Sequence, residues 1–471
     1  MEAERKNVCI VGGGLVGSLC ACFIAKRGYK VDLFEMRQDF RADATVHGRS
    51  INLALSHRGL EALERVGLRE KVTKSGIPMH ARMIHSLDGK TRPIPYGRTG
   101  QFIMSVDRMG LNGVLLTEAE SQPNITIHFG HKLVSCDPTT GETVFSTDDS
   151  TVKRTYDLIV GCDGAFSAVR KSMMRHCRFD YEQRYIEHGY MEIAFPPSES
   201  GGHCMATNYL HIWPRNQFML IALPNLDGSF TGTMFMPFEL FDQLKSPEAV
   251  VKFYRDTFPD ALELLGEKTV VDTILSLKAL PLVSIRCQPY HLNDKMLIIG
   301  DAAHAMVPFY GQGMNCGFED CIILDDLMQQ FGHDFGKVLP AFTNSRVEDA
   351  HAIVDLALYN YIEMRQSVNS VTFLLRKKLD NALNWLLPNH WVPLYTMVTF
   401  SRTPYSRAIT DRRWQDRVLG RLLCAAAVAA SVCAACAACA VHRVGVTRAL
   451  RTHWSQMAFR ASRMIEGLRK A

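Results

Sequence analysis

The chain has 471 residues, 47% of them hydrophobic and 21% charged, with a formal net charge of +5. That length can bury a large core and leaves room for two or three domains, and the composition excludes a disordered or collagen-like chain. The charge is uneven: residues 401–471 hold 13 Arg and Lys against 3 Asp and Glu on a slightly acidic body, a balance that does not describe a nucleic-acid-binding domain.

The glycine motif starts at Gly12 after one short apolar run, so no signal peptide is expected. Val8 to Val11 reads as a buried strand, Gly12-x-Gly14-x-x-Gly17 as a tight turn, and Ser18 to Lys26 as a helix closed by Arg27-Gly28. Val31 to Glu35 is a second parallel strand ending in an acid, which completes a βαβ unit. Glycines at that spacing let the backbone approach a pyrophosphate held at the helix N-terminus. Glu35 can accept hydrogen bonds from a ribose diol and disfavours a 2′-phosphate, so the resident dinucleotide is FAD or NAD rather than NADP.

Residues 76–100 and roughly 180–280 alternate apolar and polar positions between turn signals, the pattern of an inserted antiparallel sheet. Within it, Asp88-Gly89-Lys90 suits a three-residue hairpin loop, which would set Arg82 opposite Tyr96 on one face. A two-residue turn would instead put them on opposite faces. "DLIVGCDGAFSAVRK" places Asp163-Gly164 after another buried strand, with Arg170 close behind.

The stretch "KMLIIGDAAHAMVPFYGQGMNCGFED" is a strand ending in Gly300-Asp301, followed by further glycines. Asp301 can hold a hydroxyl chain such as the ribityl of a flavin. Gly311, Gly313 and Gly317 let a helix start at Gly313-Met314-Asn315 bring backbone N–H groups to a planar, electron-rich edge. NAD has no use for a second site so far along the chain; FAD has. His304 could be a base or a structural part of the turn. Residues 313–330 and 336–385 read as mostly helical.

Leu422 to Val441 has no charge over 20 residues, long enough to span a bilayer, with Arg417, Arg421, Arg443 and Arg448 at its flanks. A buried alanine-rich core helix is the competing reading. The 14 cysteines lie mostly in apolar runs, as thiols of a reducing compartment do, and no Cys/His spacing in the body suggests zinc.

The strand-end acid, the Asp-Gly and the Gly-Asp, in that order, resemble the class A FAD-dependent aromatic hydroxylases, which have the p-hydroxybenzoate hydroxylase fold. The segments "GRSINLALSHRG" (48–59), "MHARMIHSLDGK…IPYG" (79–97), "FDYEQRYIEHGYMEI" (179–193), "PFYGQGMNCGFED" (308–320), "LYNYIEMR" (358–365) and "PLYTMV" (393–398) are similar to the kynurenine 3-monooxygenase family within that class. The similarity runs to about residue 405. Cys316 stands where that family is expected to have Ala, and Tyr310 where Phe is usual.

The resemblance implies an α/β fold: a Rossmann-type FAD-binding domain with an inserted antiparallel-sheet substrate domain, C-terminal helices and a C-terminal transmembrane helix. The expected division is 1–75, 101–178 and 281–335 for FAD, and 76–100 and 179–280 for the substrate sheet. Helices follow over 336–400, then a basic tail over 401–471 with its span at about 422–441. The implied reaction is hydroxylation of L-kynurenine to 3-hydroxykynurenine in tryptophan catabolism, by O2 and NADPH, through a flavin C4a-hydroperoxide. No residue is then needed as acid or base, and no metal.

Tightly bound FAD would rest on Gly12, Gly14, Val16, Gly17, Glu35, Arg37, Ala54, Arg108, Asp163, Asp301, Gly313, Met314 and Asn315. NADPH would be a transient co-substrate sharing the Asp163 element. The carboxylate of kynurenine would meet Arg82 and Tyr96, with Asn360 and Tyr395 completing the polar end. Phe235, Pro308 and Phe309 would line the ring pocket, and Gln312 would face flavin and substrate. His304 would then be structural. The tail would fix the protein in the mitochondrial outer membrane, body toward the cytosol. The alternatives are a membrane-bound flavin hydroxylase of a quinone or sterol precursor, and a flavin-binding membrane protein without turnover.

Overall fold

The computed structural model describes residues 6–42, 52–97, 100–365 and 370–468; the start of the motif at 48–59, residues 48–51, lies outside them. Met1–Ile409 form one compact unit and Thr410–Ala471 a second. The first is built around a six-stranded sheet in the order His291–Leu292, Met296–Ile298, Leu158–Gly161, Asn7–Val11, Lys30–Phe34 and Ile125–His128. Only the short edge strand His291–Leu292 runs antiparallel. Val8, Cys9 and Ile10 are fully buried, as a strand covered on both faces must be. The helix Leu15–Lys26 starts earlier than Ser18, with Gly14 as its N-cap, and is buried on nearly every side, between the sheet and the helices Arg108–Glu120 and Gly313–Phe331.

The inserted sheet has seven strands, ordered Leu280–Gln288, Asp180–Phe195, Phe230–Pro237, Phe218–Pro224, Tyr209–Arg215, Ala81–His85 and Thr91–Pro95. All neighbours are antiparallel except Tyr209–Arg215 with Ala81–His85, where the two inserted pieces join. Four details differ from the expected division. Ile77–Met79 pairs with Ile103–Asp107 in a small separate sheet with Asn52–Leu55. Leu280–Gln288 carries the large sheet past residue 280, because the 16-residue strand Asp180–Phe195 is long enough to hold partners along both edges. The range 179–280 also contains the short helix Phe238–Phe241 and three longer ones, Pro247–Thr257, Pro259–Leu265 and Glu267–Ser276, which cover one face of the sheet over a core with Trp213, Phe195, Phe230 and Tyr254. Within the expected FAD range, Lys132–Cys136, Glu142–Ser146 and Thr151–Thr155 form a further antiparallel sheet.

The hairpin is also shifted. Arg82 pairs with Ile94, and the Tyr96 amide donates to the His80 carbonyl. The loop has three residues, but they are Leu87-Asp88-Gly89, closed by the Ser86 amide donating to the Lys90 carbonyl. Gly89 has φ +76° and takes the left-handed last position of the loop, which a glycine fills without strain. The change moves the register by two, so Arg82 and Tyr96 remain on the same face as diagonal rather than direct neighbours.

Beyond the sheets come the helices Gly313–Phe331, Phe335–Arg365, Val371–Leu386 and Leu394–Phe400. The last helix, Tyr405–Leu468, runs for 64 residues, far longer than the expected 422–441. Its stretch Tyr405–Ala440 has a mean hydropathy of 2.3 over its most apolar window, and that window is not buried. It is long and apolar enough to cross a membrane, and its exposure removes the reading of a buried core helix.

Candidate active site

The cofactor end is shaped by close backbone approach. A Cβ on Gly17 would lie 1.9 Å from the Gly12 carbonyl oxygen, and one on Gly12 would lie 2.5 Å from that of Cys162. These glycines let the turn, the helix and the Leu158–Gly161 strand end meet. Gly14 is different: a Cβ there would meet no protein atom within 4 Å, so the space beside it is open. Glu35 accepts from the Gly13 amide at 2.8 Å and the Arg37 amide at 3.0 Å, which fixes the acid at the rim of that space, with the Arg37 side chain exposed. Val16 packs into the notch left by Gly300 and Gly317, where added Cβ atoms would come within 3.1 and 2.5 Å of it.

Asp163 accepts from the Ala168 and Val169 amides through Oδ2, at 2.6 and 3.2 Å, while its Oδ1 is buried without a partner. Desolvation raises its carboxyl. Asp301 opens outward but is ringed by protein; desolvation raises it too, with His304 and Arg108 opposing. Arg108, first residue of the helix Arg108–Glu120, is thereby placed within electrostatic reach of Asp301.

The helix Gly313–Phe331 starts as expected. The Cys316 amide already bonds the Gln312 carbonyl, and helix geometry leaves the amides of Gly313, Met314 and Asn315 without an intrahelical acceptor. A Cβ on Gly313 would approach nothing closer than 3.9 Å, so its face also opens onto free space. The Asn315 side chain is fully engaged: Oδ1 accepts from the Ser56 amide, and Nδ2 donates to the carbonyls of Ala54 and Gly311. It straps the strand Asn52–Leu55 to the loop at Gly311, where φ is +64° and Ala54 Cβ leaves no room for a side chain. An unpaired buried carboxylate oxygen, free helix-start amides and side-chain-free surfaces at Gly14 and Gly313 fit an extended, phosphate-bearing, electron-rich ligand of FAD's kind.

His304 is not presented to that space. It is buried, with Nε2 2.6 Å from Asp320 Oδ2 and Nδ1 3.8 Å from Cys316 Sγ. Burial opposes its charge, but Cys316 and Asp320 outweigh it and hold its pKa well above the ordinary value. Asp320 also takes the Gly300 amide and Arg346 Nε, and Arg346 Nη2 lies 3.2 Å from Cys316 Sγ. The neighbouring Glu319 binds Arg58 Nη1 at 2.5 and 2.6 Å. His304, Cys316 and Asp320 have metal-ligand atoms close together, yet the guanidinium already sits against two of them. The cluster is a buried ion network that locks the Gly300 turn to two helices.

A second group of buried polar and aromatic side chains gathers around Arg82. Arg82 is buried, and its guanidinium lies 4.6 Å over the Tyr395 ring. Tyr395 stacks between Tyr96 and Tyr310, each at 5.6 Å. Burial works against the Arg82 charge; Tyr395 and Glu363 override it, and its pKa is raised. Arg82 Nη1 donates to Glu363 Oε1 at 2.9 Å, but Arg82 Nε and Tyr96 Oη are buried with no partner. Burial holds the Tyr96 phenol well above its usual pKa, so it stays a donor.

Phe309 meets Phe235 edge-on at 4.8 Å and stacks on Tyr361 at 3.8 Å, while Pro308 begins the turn and is exposed. Two expected contacts are committed elsewhere. Asn360 donates to the Phe309 carbonyl at 2.7 Å and so holds the turn, and Gln312 Oε1 accepts from the Tyr405 hydroxyl at 3.1 Å. In both cases a buried amide has found a nearby protein partner, as burial demands.

Sequence reasoning missed Glu363 and Lys377. Glu363 is three residues after Asn360 on one helix, so it shares that face, a spacing that could have flagged it. Lys377 comes from the helix Val371–Leu386, and burial, then Arg82, push its ammonium down to about 8. Nothing local in the sequence points to it.

This fold and cradle define an FAD-binding protein of the flavoprotein monooxygenase class. A family model described as FAD binding domain matches residues 5–352. A solved 2-methyl-3-hydroxypyridine-5-carboxylic acid oxygenase shares the fold with a TM-score of 0.63 at 19% identity, over 77% of this chain and 94% of its own. The chain belongs to the kynurenine 3-monooxygenase family. It is 53% identical to the kynurenine 3-monooxygenase of Anopheles gambiae over 91% of this chain and 89% of that one, and 50% identical to that of Sus scrofa over 90% of each.

Proposed function

We propose that the protein is an FAD-dependent monooxygenase that hydroxylates L-kynurenine to 3-hydroxykynurenine with NADPH and O2. The observation that carries this reading is a buried arginine beside a buried tyrosine hydroxyl, both with unpaired donors, at the edge of an aromatic pocket. A ligand with a carboxylate on one end and an aromatic ring on the other satisfies both. A neutral quinone or sterol precursor would leave those donors desolvated and unmatched, at a cost of about 1–3 kcal/mol each.

Arg82 Nε and Tyr96 Oη bind the carboxylate, a charge-assisted contact in a site of low dielectric. Glu363, released in part from Arg82 by that carboxylate, faces the substrate ammonium. Phe235, Phe309 and Tyr361 enclose the ring and exclude water. Asn360 holds the Phe309 turn, and the His304–Asp320–Arg346 network holds Gly300 and the helix behind it. The FAD would be held by the Gly12–Gly17 turn, Glu35, Asp163, Asp301, Arg108 and the Gly313–Asn315 amides. The chemistry it supplies when bound is reduction by NADPH and delivery of one oxygen atom from O2. Kynurenine's own ring amino group activates its ring, so the protein's part is to orient and desolvate.

The C-terminal helix anchors the protein in the mitochondrial outer membrane with the body toward the cytosol. Its membrane length and its flanking arginines support this reading. Solubilised full-length protein should consume NADPH only with kynurenine present and form 3-hydroxykynurenine. NADPH oxidation that ignores kynurenine would defeat the proposal, and carbonate-resistant recovery with a different organelle would defeat the localisation.

A further inference from the structure

Behind the substrate clamp, on the opposite face of the same strand, lies a chain of titratable groups with no part in the chemistry above, its two histidines buried and its acid half-buried. His85 Nδ1 is 2.6 Å from Asp260 Oδ2, His85 Nε2 is 2.8 Å from His211 Nδ1, and His211 Nε2 is 2.8 Å from the Ala206 carbonyl. Trp213 Nε1 donates to the same Asp260 oxygen at 2.8 Å, and its ring stacks on His85 at 3.9 Å. Both histidines are buried.

Counting protons fixes the state of this chain. The Ala206 carbonyl can only accept, so His211 Nε2 carries a hydrogen. The contact between His85 and Asp260 needs one hydrogen, and the contact between the two rings needs another. That makes three, whereas two neutral imidazoles and a carboxylate bring two. With the third proton the chain is neutral overall, which suits burial; without it a net negative charge remains and one nitrogen pair faces lone pair to lone pair. Burial pushes the His211 pKa down to about 4, in keeping with a ring that holds its one hydrogen on Nε2 and accepts at Nδ1. The other charged group facing the chain is Arg215, whose Nη1 donates to the His85 carbonyl at 3.1 Å and which feels Asp260.

We propose that Asp260, His85 and His211 form a three-proton, charge-neutral chain that positions the strand carrying Arg82 for substrate binding. The chain ties Ala81–His85 to Tyr209–Arg215 and to the helix Pro259–Leu265. Arg82 and His85 are three residues apart and point to opposite faces. Loss of the third proton frees the strand on its far side, so the clamp loosens as pH rises. This rests on the reading of Arg82 as the carboxylate ligand.

Asp260→Asn is the decisive variant. Its amide oxygen can still accept from His85 and Trp213, but the chain would then be cationic with three protons and keeps two. With the full-length enzyme, KM for kynurenine is expected to rise about fivefold, the size of one net hydrogen bond, with kcat and bound FAD unchanged. The wild-type KM should climb with pH by a one-proton step that Asp260→Asn lacks. His211→Gln, which offers a carbonyl and an N–H in place of the two ring nitrogens, should retain the wild-type KM and its pH step, while His211→Leu loses both. Amide exchange over residues 79–86, read without substrate, should quicken in Asp260→Asn and His211→Leu only. Equal behaviour of His211→Gln and His211→Leu, or superimposable KM–pH curves for wild type and Asp260→Asn, would overturn the chain. Altered exchange with an unchanged KM in Arg82→Met would instead overturn the clamp reading alone.

Discussion

At the cofactor end, the surface is made by backbone and by side chains that are missing; at the substrate end, it is made by side chains drawn from many separate segments. Gly17 faces Gly12 five residues away, and Gly12 faces the end of the adjacent strand. Arg82, Tyr96, Phe235, Phe309, Glu363, Lys377 and Tyr395, by contrast, converge from across the chain, and only Arg82 and Tyr96 among them share a turn, the hairpin loop at Leu87–Gly89. At Gly12 and Gly17 the first kind of site has no room for an added atom, while Gly14 and Gly313 face open space. The second tolerates change, and pays for it in affinity rather than in folding.

The largest expected effect therefore falls on the cofactor end. Gly17→Ala would place a methyl 1.9 Å from the Gly12 carbonyl oxygen, and backbone on both sides leaves nothing flexible to yield. Such overpacking costs about 3 kcal/mol or more, and the turn must open to relieve it. The purified variant should carry no FAD by its visible absorbance. A protein that retains its flavin and melting temperature would show that the turn is not a close-packed cradle.

His304→Asn comes next. It removes one partner from the buried Asp320–Arg346 network and leaves a carboxylate less compensated, at a cost of about 3 kcal/mol. Flavin retention and thermal stability should fall together, while variant saturated with FAD hydroxylates kynurenine at close to the normal rate. Full flavin occupancy with no product would make His304 a participant in the chemistry and erase the distinction between a holding network and a reacting site.

How these two regions could be read from the sequence follows the same division. The glycine turn, Glu35 and the helix start at Gly313 are placed by the chain path of one βαβ unit or one strand–helix turn, so spacing locates them even though Gly12 also meets the distant Cys162. The pairing of Arg82 with Tyr96 needed the hairpin loop, and the loop was legible in length but not in place: Gly89 had to be its last residue, because only there does the turn demand a left-handed φ. The face survived the error because the register moved by two. Glu363, Lys377 and the capture of Gln312 by Tyr405 were not legible, since each depends on how a helix from the far end of the body packs against the sheet.

Arg82→Met tests the substrate end directly. It keeps the apolar stem over Tyr395 and removes the charge, leaving Glu363 without its partner. A loss of about 2 kcal/mol of binding is expected, a rise of about 30-fold in KM for kynurenine, with FAD content unchanged. Kynurenine binding at wild-type affinity would sink the clamp.

The smallest effect separates the two regions most cleanly. Tyr96 Oη is buried and unpaired in the free protein, so its desolvation already weighs against folding. Tyr96→Phe removes that burden while keeping the stack on Tyr395, and thermal stability should hold or rise slightly. The hydroxyl's value appears only when a carboxylate arrives: KM should rise about fivefold, or ~1 kcal/mol, with the flavin spectrum untouched. Calorimetric melting beside kynurenine titration distinguishes the cases. If stability falls and affinity does not, the hydroxyl belongs to the fold; if stability holds and affinity falls, the protein keeps a buried donor unsatisfied for the sake of its ligand, which no residue at the glycine turn can do.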